Sequence, residues 1–327
     1  MKNEFKTKEL LNENIQTFII GSWHIRVLPK EIVISGNEKS QLESMALFWS
    51  KSFNLKHKNW MVKNFSVPSN IIRFDYVLND QGDINVFEIE DRPAGFEINA
   101  LVSPYTDNSF LLSLSELSNY TKKPIGICVS KGRMFNSDDF FWVQRFSKFN
   151  MNLENSKFVF GEFPKNPEDY LWFVRSLRHE KEYYDLEKYS FSTIKYEGDK
   201  SYGLKMGLYK TIPEDILWDK PFVFKPESGC RCENVHMYHP KQPGGGFSTR
   251  SKIERAIENG DVKYIQPYYE PEHPDFLPNG YSMLRRCYLI FDIDTLSYKV
   301  VGGQWEARPK CHKIHGASDA VCGPLVL

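Results

Sequence analysis

Hydrophobic and polar positions change rhythm several times along this chain, and each rhythm predicts an element. Residues 17–35 alternate, which predicts strands on either side of Pro29. Leu42, Met45, Trp49 and Phe53 recur at spacings of three or four and predict a helix over 40–53. Alternation returns over 71–91, where two segments flank a polar Asn-Asp-Gln-Gly-Asp turn, the pattern of a β-hairpin. Helices are expected at 109–121, 138–149 and 166–190, the last with Leu171, Val174 and Leu177 on one side. Buried strands are expected within 123–130 and at 157–161. Beyond residue 190 the rhythm shortens: β-segments at 221–226, 235–238, 264–269, 283–292 and 298–303 alternate with Gly-rich loops, interrupted by a helix at 250–259. The expected class is α/β (α+β) with mixed and antiparallel sheets, and the change of character near 190 divides 1–190 from 191–327.

Composition narrows the partners. The chain has 327 residues with 42 Lys plus Arg against 42 Asp plus Glu, so no global basic field points to nucleic acid or an anionic membrane. No run approaches the roughly 20 apolar residues that span a bilayer. The opening Met-Lys-Asn-Glu-Phe-Lys-Thr-Lys-Glu lacks the apolar stretch of a secretory signal. Six scattered cysteines in a chain this long do not form a disulfide framework, so a reduced, cytoplasmic protein is expected.

The hairpin carries the first candidate chemistry. A four-residue loop at Asp80–Asp83 would set Asp75 opposite Glu88 and Arg73 opposite Glu90, with all four on one face. Carboxylates converging there repel one another unless a cation lies between them. Asp75, Glu88 and Glu90 offer the hard oxygen ligands that suit Mg²⁺. The plainer alternative is a solvated acidic strand face.

A second set follows 190. Phe222-Val-Phe-Lys-Pro-Glu-Ser-Gly-Cys-Arg-Cys delivers Lys225 to the end of a strand, ahead of a loop with Gly229 and Arg231. Backbone N–H groups of such a loop can cover phosphate oxygens, and the lysine adds a point charge. Lys200 stands in a Gly-flanked turn upstream. Tyr264-Ile-Gln-Pro-Tyr-Tyr269, containing Gln266 and Tyr268, would offer a backbone edge and aromatic faces to a flat heterocycle. Arg286 and Arg308 stand at strand positions where a rigid guanidinium fork suits phosphate or carboxylate.

In order and spacing, Lys200, Lys225 with its Gly loop, the Tyr-Ile-Gln-Pro hinge, Arg286 and Gly302-Gly-x-x-x-Ala-Arg308 resemble the nucleotide-binding half of the ATP-grasp fold. The acidic strand pair that usually follows the last arginine is missing there. Arg73-Phe-Asp75-Tyr76 and Glu88-Ile-Glu90-x-x-Pro93-x-Gly95 are similar to that pair as it occurs in circularly permuted members such as eukaryotic-type glutathione synthetase and glutathionylspermidine synthetase-like ligases. The resemblance covers roughly 71–95 and 197–309; Glu90 replaces the usual Asn, and Gly-Cys-Arg-Cys replaces a glycine run.

The resemblance implies an ATP-grasp fold in permuted order behind an N-terminal α/β layer. It implies an ATP-dependent ligase that joins a small-molecule carboxylate to an amine through an acyl phosphate, on an amino acid or small peptide. Its cofactors would be ATP and Mg²⁺, with the metal at Asp75, Glu88, Glu90 and Glu227. Lys200, Lys225, Gly229, Arg231, Gln266 and Tyr268 would hold the nucleotide. Arg286 and Arg308 would offset charge on the transferred group, while Arg73 orients the carboxylate substrate or braces Glu90. It admits a homodimer. A phosphotransferase on the same scaffold and a non-catalytic ATP-binding protein are the alternatives. Two other constellations compete: zinc at Cys230, Cys232, His236, His239, Cys311, His312, His315 and Cys322, whose spacing fits the usual Cys-x₂-Cys poorly, and a Cys311 or Cys322 pair with His315.

Overall fold

In the computed structural model the described residues are 16–20, 23–52, 71–90, 98–99, 102–129, 157–160, 163–175, 186, 189–190, 203–204, 206–227, 234–242, 244, 246–309 and 320–327. The helix expected at 138–149 lies outside them.

The strands fall into three sheets. The largest has eight strands: β1 (Gln16–Ile20), β2 (Trp23–Val27), β15 (Val321–Val326), β14 (Ser297–Pro309), β13 (Tyr281–Asp292), β4 (Ile71–Leu78) and β5 (Ile84–Glu90) in spatial order, with β3 (Ile32–Val33) also on β15. Its pairs are antiparallel except at β15, which runs parallel to β2 and β3. A four-stranded antiparallel sheet has the order β11 (His236–Tyr238), β10 (Phe222–Lys225), β12 (Tyr264–Pro267), β9 (Lys210–Thr211). A parallel sheet joins β7 (Lys157–Phe160), β6 (Ile125–Val129) and β8 (Leu171–Arg175). With helices α1 (Gly36–Ser52), α2 (Pro104–Thr121) and α3 (Arg250–Glu258), the chain is a mixed α+β fold. The large sheet draws its strands from both sides of residue 190.

α1 starts earlier than the apolar period indicates. Ser35 and Glu38 close a reciprocal capping box, Glu38 N–H to Ser35 Oγ at 3.1 Å and Ser35 N–H to Glu38 Oε2 at 3.3 Å. Glu38 shares a stripe with Leu42, Ala46 and Trp49, all buried, so the helix carries a carboxylate under the sheet with its apolar face. α2 buries Phe110, Ser113, Leu114 and Leu117 at the same kind of spacing, and the Ser113 hydroxyl donates to the carbonyl of Phe291 on β13. Phe110 meets Phe173 of β8 edge-on at 6.2 Å, so the parallel sheet and the large sheet share one core with α1 and α2.

Part of the helix expected at 166–190 is a strand, and 176–185 lie outside the described residues. Residues 171–175 form β8 after a short 3₁₀ turn at Pro167–Asp169, and they pair in parallel with β6. Leu171, Trp172 and Phe173 are all fully buried. A parallel strand covered on both faces has no polar side, so its continuous apolar run mimics part of a helical stripe.

β15 was not anticipated, because Gly323-Pro324 argues against a strand inside a sheet. Pro324 is tolerated at a gap in the neighbouring edge. β2 pairs with Val321 and Cys322, β3 pairs with Leu325 and Val326, and the chain between β2 and β3 leaves the ladder where Pro324 has no N–H to offer.

No helix among the described residues is long and apolar enough to cross a membrane.

Candidate active site

The hairpin β4–β5 pairs Asp75 with Glu88 and Arg73 with Glu90, as the sequence predicts, but by a different route. Its loop has five residues, because Leu78 pairs with Ile84. Asn79 organises that loop: its Oδ1 accepts from the N–H groups of Gln81 and Asp83 at 3.0 and 2.8 Å, and Gly82 supplies the positive φ. A five-residue loop alone would slip the acids to the other face. A β-bulge at Phe87, between the pairs Asp75–Glu88 and Tyr76–Val86, cancels the slip.

β4 lies against β13, with Asp75 opposite Arg286 and Arg73 opposite Tyr288. Across β13, Arg286 is opposite Gln304 and Ser282 opposite Arg308 of β14. This puts Arg73, Asp75, Glu88, Glu90, Arg286, Gln304, Glu306 and Arg308 on one face of the sheet. The close β13–β14 approach depends on glycine: a Cβ at Gly303 would stand 2.0 Å from the Arg286 carbonyl oxygen.

The acids of this face are balanced by guanidinium groups. Arg73 Nε lies 2.6 Å from Asp75 Oδ1, and its Nη2 reaches Asp75 Oδ2 at 3.2 Å and Glu90 Oε2 at 3.0 Å. Burial opposes the charge on Arg73, but Asp75 and Glu90 outweigh it and hold the guanidinium firmly protonated. Arg286 Nε is 3.5 Å from Asp75 Oδ2, and its Nη1 is 2.6 Å from Glu306 Oε2. Burial works against Arg286 too, and Glu306 followed by Asp75 keeps it charged.

The cation between Asp75 and Glu90 is therefore Arg73, so Asp75, Glu88 and Glu90 do not gather round a common point. Among the described residues no three His, Cys, Asp or Glu side chains converge as a metal site requires. Asp75 is buried, and its two oxygens are engaged by Arg73 and Arg286. Glu88 and Glu90 are half-buried on the same face, and Mg²⁺ commonly takes one or two carboxylates and completes its shell with phosphate and water, so these two fit it. Glu227 is distant in character: it is exposed and pairs with Lys263 on the surface.

The four-stranded sheet meets this face through Lys225. Its ammonium donates to the Phe87 carbonyl at 2.7 Å and meets the Tyr209 hydroxyl at 3.1 Å, over the Tyr209 ring. Tyr209 also donates to Phe87 O at 2.9 Å, and Gln266 Nε2 donates to Val86 O at 2.8 Å. Two consecutive carbonyls at the bulge thus anchor the smaller sheet. The Tyr209 hydroxyl is pushed well above its ordinary pKa by burial, then by the charges of Asp75 and Glu90, which puts the lysine's partner within the acids' field. Tyr268 follows the strand of Gln266; its hydroxyl is likewise raised by burial and by Glu270. It stacks edge-on with Phe247 at 5.4 Å, beside His239. Lys200, Gly229 and Arg231 lie outside the described residues. Of the zinc candidates, His236 shares a hydrogen bond with Ser248 and Cys322 is buried in the large sheet, while Cys230, Cys232, Cys311, His312 and His315 lie outside the description.

Two arrangements escape a reading of the sequence. On the opposite face of the sheet Arg285 binds Glu272 with two contacts of 2.8 Å and Glu38 at 3.1 and 3.2 Å, and Tyr76 also donates to Glu38. The adjacent arginines thus serve opposite faces, as alternation requires. Only the Ser35-x-x-Glu38 capping signature hinted at this network. On the acidic face, Gln304 and Glu306 are 0% and 1% exposed. Neither end of the Gln304 amide has a hydrogen-bond partner, and Glu306 Oε1 has none. Each such buried group costs about 1–3 kcal/mol. The glutamate's spacing from Gln304 and Arg308 was the available signal.

No protein-family model matches the sequence, and no curated protein matches it. Among solved structures the chain is similar to a glutathione synthetase-like effector from Globodera pallida in its apo form, with 9% identity, a TM-score of 0.46, and coverage of 100% of this chain and 96% of that one. It is also similar to a putative gamma-glutamylcysteine synthetase from Methylobacillus flagellatus KT, with 9% identity, a TM-score of 0.39, and coverage of 96% and 90%.

Proposed function

We propose that this protein is an ATP-dependent carboxylate–amine ligase of the permuted ATP-grasp kind, acting through an acyl phosphate. One observation carries the reading. The hairpin bearing Glu88 and Glu90 is hydrogen-bonded to β13, far along the chain, with Asp75 opposite Arg286, and β14, which carries Arg308, is the next strand of the same sheet. That juxtaposition is what the motif order demands if the hairpin takes the place of the acidic strand pair. The smaller sheet, with Lys225 and Gln266, leans on the same hairpin.

In this reading the nucleotide lies between the two sheets, with Gln266 and Tyr268 along its base and Lys225 toward its phosphates. Glu88 and Glu90 would hold Mg²⁺, which when bound neutralises phosphate charge. Arg73 holds Glu90 in place and pairs with Asp75. Asp75 in turn orients Arg286, whose positive charge in a buried setting favours an anion developing beside it. Attack by the carboxylate oxygen on the γ-phosphorus breaks the bond to ADP; attack by the amine on the acyl carbon then releases phosphate. No side-chain nucleophile is required.

ADP release measured with pooled amino acids and amines tests the reading, with product analysis separating an amide plus free phosphate from a phosphorylated alcohol. Glu88→Gln should abolish ADP formation with little change in melting temperature, because Glu88 is half-buried at a sheet edge. Unchanged turnover in that variant removes Glu88 from the site, and no ADP release with any pool removes the ligase assignment.

A further inference from the structure

Within the face assigned above to ligation, Gln304 and Glu306 form a built site that the proposed chemistry leaves unused. They stand two positions apart on β14, hence side by side. The ladder neighbours of Gln304 are Arg286 and Pro324; those of Glu306 are Leu284 and Cys322. Arg286 serves Glu306 Oε2, and none of the other three offers a donor to Glu306 Oε1 or a partner to the Gln304 amide. Ile98 and Val102 pack on Val27 and on Cys322, the ladder neighbour of Glu306. Two neighbouring buried side chains thus hold three polar atoms without hydrogen-bond partners: Gln304 Oε1 and Nε2, and Glu306 Oε1. Buried polar groups in folded proteins are otherwise nearly always paired.

The chemistry of the set selects its ligand. It presents two acceptors, one of them a carboxylate oxygen, and one amide donor group. An anion is disfavoured by Glu306, while a simple alkyl group would leave all three atoms unpaired. A primary ammonium supplies N–H donors to both acceptors, and a carbonyl or hydroxyl near it takes the amide donor. We propose that Glu306 and Gln304 bind the amine substrate as a primary ammonium bearing a neighbouring hydrogen-bond acceptor. The site lies beside Arg286, where the acyl phosphate of the proposed reaction would form. This proposal rests on the ligase reading for its biological meaning, but the binding it asserts does not require ATP.

The test uses the full chain without nucleotide, titrated with glycinamide and, at matched ionic strength, with acetamide and sodium acetate, following melting temperature and heat of binding. Glycinamide should bind saturably and the other two should not. Glu306→Gln should weaken glycinamide about tenfold or more, the loss of a hydrogen bond to a buried charge. Gln304→Leu fills a comparable volume and deletes two unpaired atoms, so it should leave the ligand-free melting temperature unchanged or higher while losing the glycinamide response. Equal glycinamide affinity in wild type and Glu306→Gln overturns the proposal. So does marked destabilisation by Gln304→Leu in the absence of ligand, which would show that the amide holds a structural water. The two readings fail separately: glycinamide binding that depends on Glu306 without ADP release under any condition sinks the ligase reading alone, and amine-dependent ADP release with an unaltered amine KM in Glu306→Gln sinks the subsite alone.

Discussion

Replacing Arg285 by methionine removes the guanidinium that bridges Glu272 and Glu38. Arg285 makes two contacts of 2.8 Å to Glu272 and contacts of 3.1 and 3.2 Å to Glu38. Methionine keeps much of the packing volume and discards the charge. Glu272 is partly exposed and can turn to water, whereas Glu38 is 1% exposed and cannot. The cost therefore falls on Glu38, left as an unpaired buried carboxylate, a situation worth about 3–5 kcal/mol. The Tyr76 hydroxyl still donates to Glu38 and holds the figure near ~3 kcal/mol, the low end of that range. With an m-value near ~2–3 kcal/mol/M, the urea midpoint followed by tryptophan fluorescence should fall by about 1 M or more. Adding Glu38→Gln to Arg285→Met should recover a large part of this, because a neutral amide carries no charge-burial penalty. An Arg285→Met midpoint within about 0.3 M of wild type refutes the reasoning, since it would mean under ~1 kcal/mol. Strict additivity of the two substitutions would refute it too, since contacting partners must couple.

Other consequences are equally open to measurement. Lys225→Met should raise hydrogen-exchange rates along both β5 and β10 and weaken ATP binding; unchanged exchange would detach Lys225 from the inter-sheet anchor. Gly303→Ala forces a methyl against the Arg286 carbonyl and should destabilise the fold by roughly 1–3 kcal/mol or more, scored by melting temperature; a neutral effect would contradict the strand spacing. Burial alone would raise the Asp292 carboxyl, but hydrogen bonds from Lys299 and Thr295 outweigh it and hold the group below its usual range. Its contribution to stability is therefore present above the unfolded-state pKa and lost as pH falls through the lower folded value. Asp292→Asn should cost at most about 1 kcal/mol at neutral pH, because Lys299 is half exposed, and nothing in strong acid; a cost that grew on acidification would reverse the assigned sign.

How much of this was legible in the sequence differs element by element. The pairing of Asp75 with Glu88 was readable because the alternation of 71–78 and 84–90 fixes which residues share a face. The turn length was not, and the bulge at Phe87 made a wrong loop give the right pair. β8 was misread because burial on both faces erases the period that separates strand from helix. That Arg73 pairs with both Asp75 and Glu90 could not be seen either, since its reach depends on side-chain direction. Arg285 and Arg286 are adjacent and chemically identical, and only the register of β13 against β4 sends one to the core network and the other to the acidic face. The unpaired atoms of Gln304 and Glu306 arise from what stands opposite them on two different strands, information spread over β13, β14 and β15.

The position of β15 bears on how the molecule is made. Among the described residues β1 and β2 lie at one side of the large sheet and join it through β15, which is inserted between β2 and β14. During synthesis the strands at Gln16–Ile20 and Trp23–Val27 therefore emerge ahead of the rest of this sheet and dock on it after Val321–Val326 has left the ribosome. Until then β14 presents an unsatisfied edge, and the early hairpin lacks the strand it pairs with in the described sheet. A nascent chain stalled before residue 321 should hold the β4–β5–β13–β14 sheet while its N-terminal hairpin stays open to protease, so completion of the last strand acts as the latch for the first.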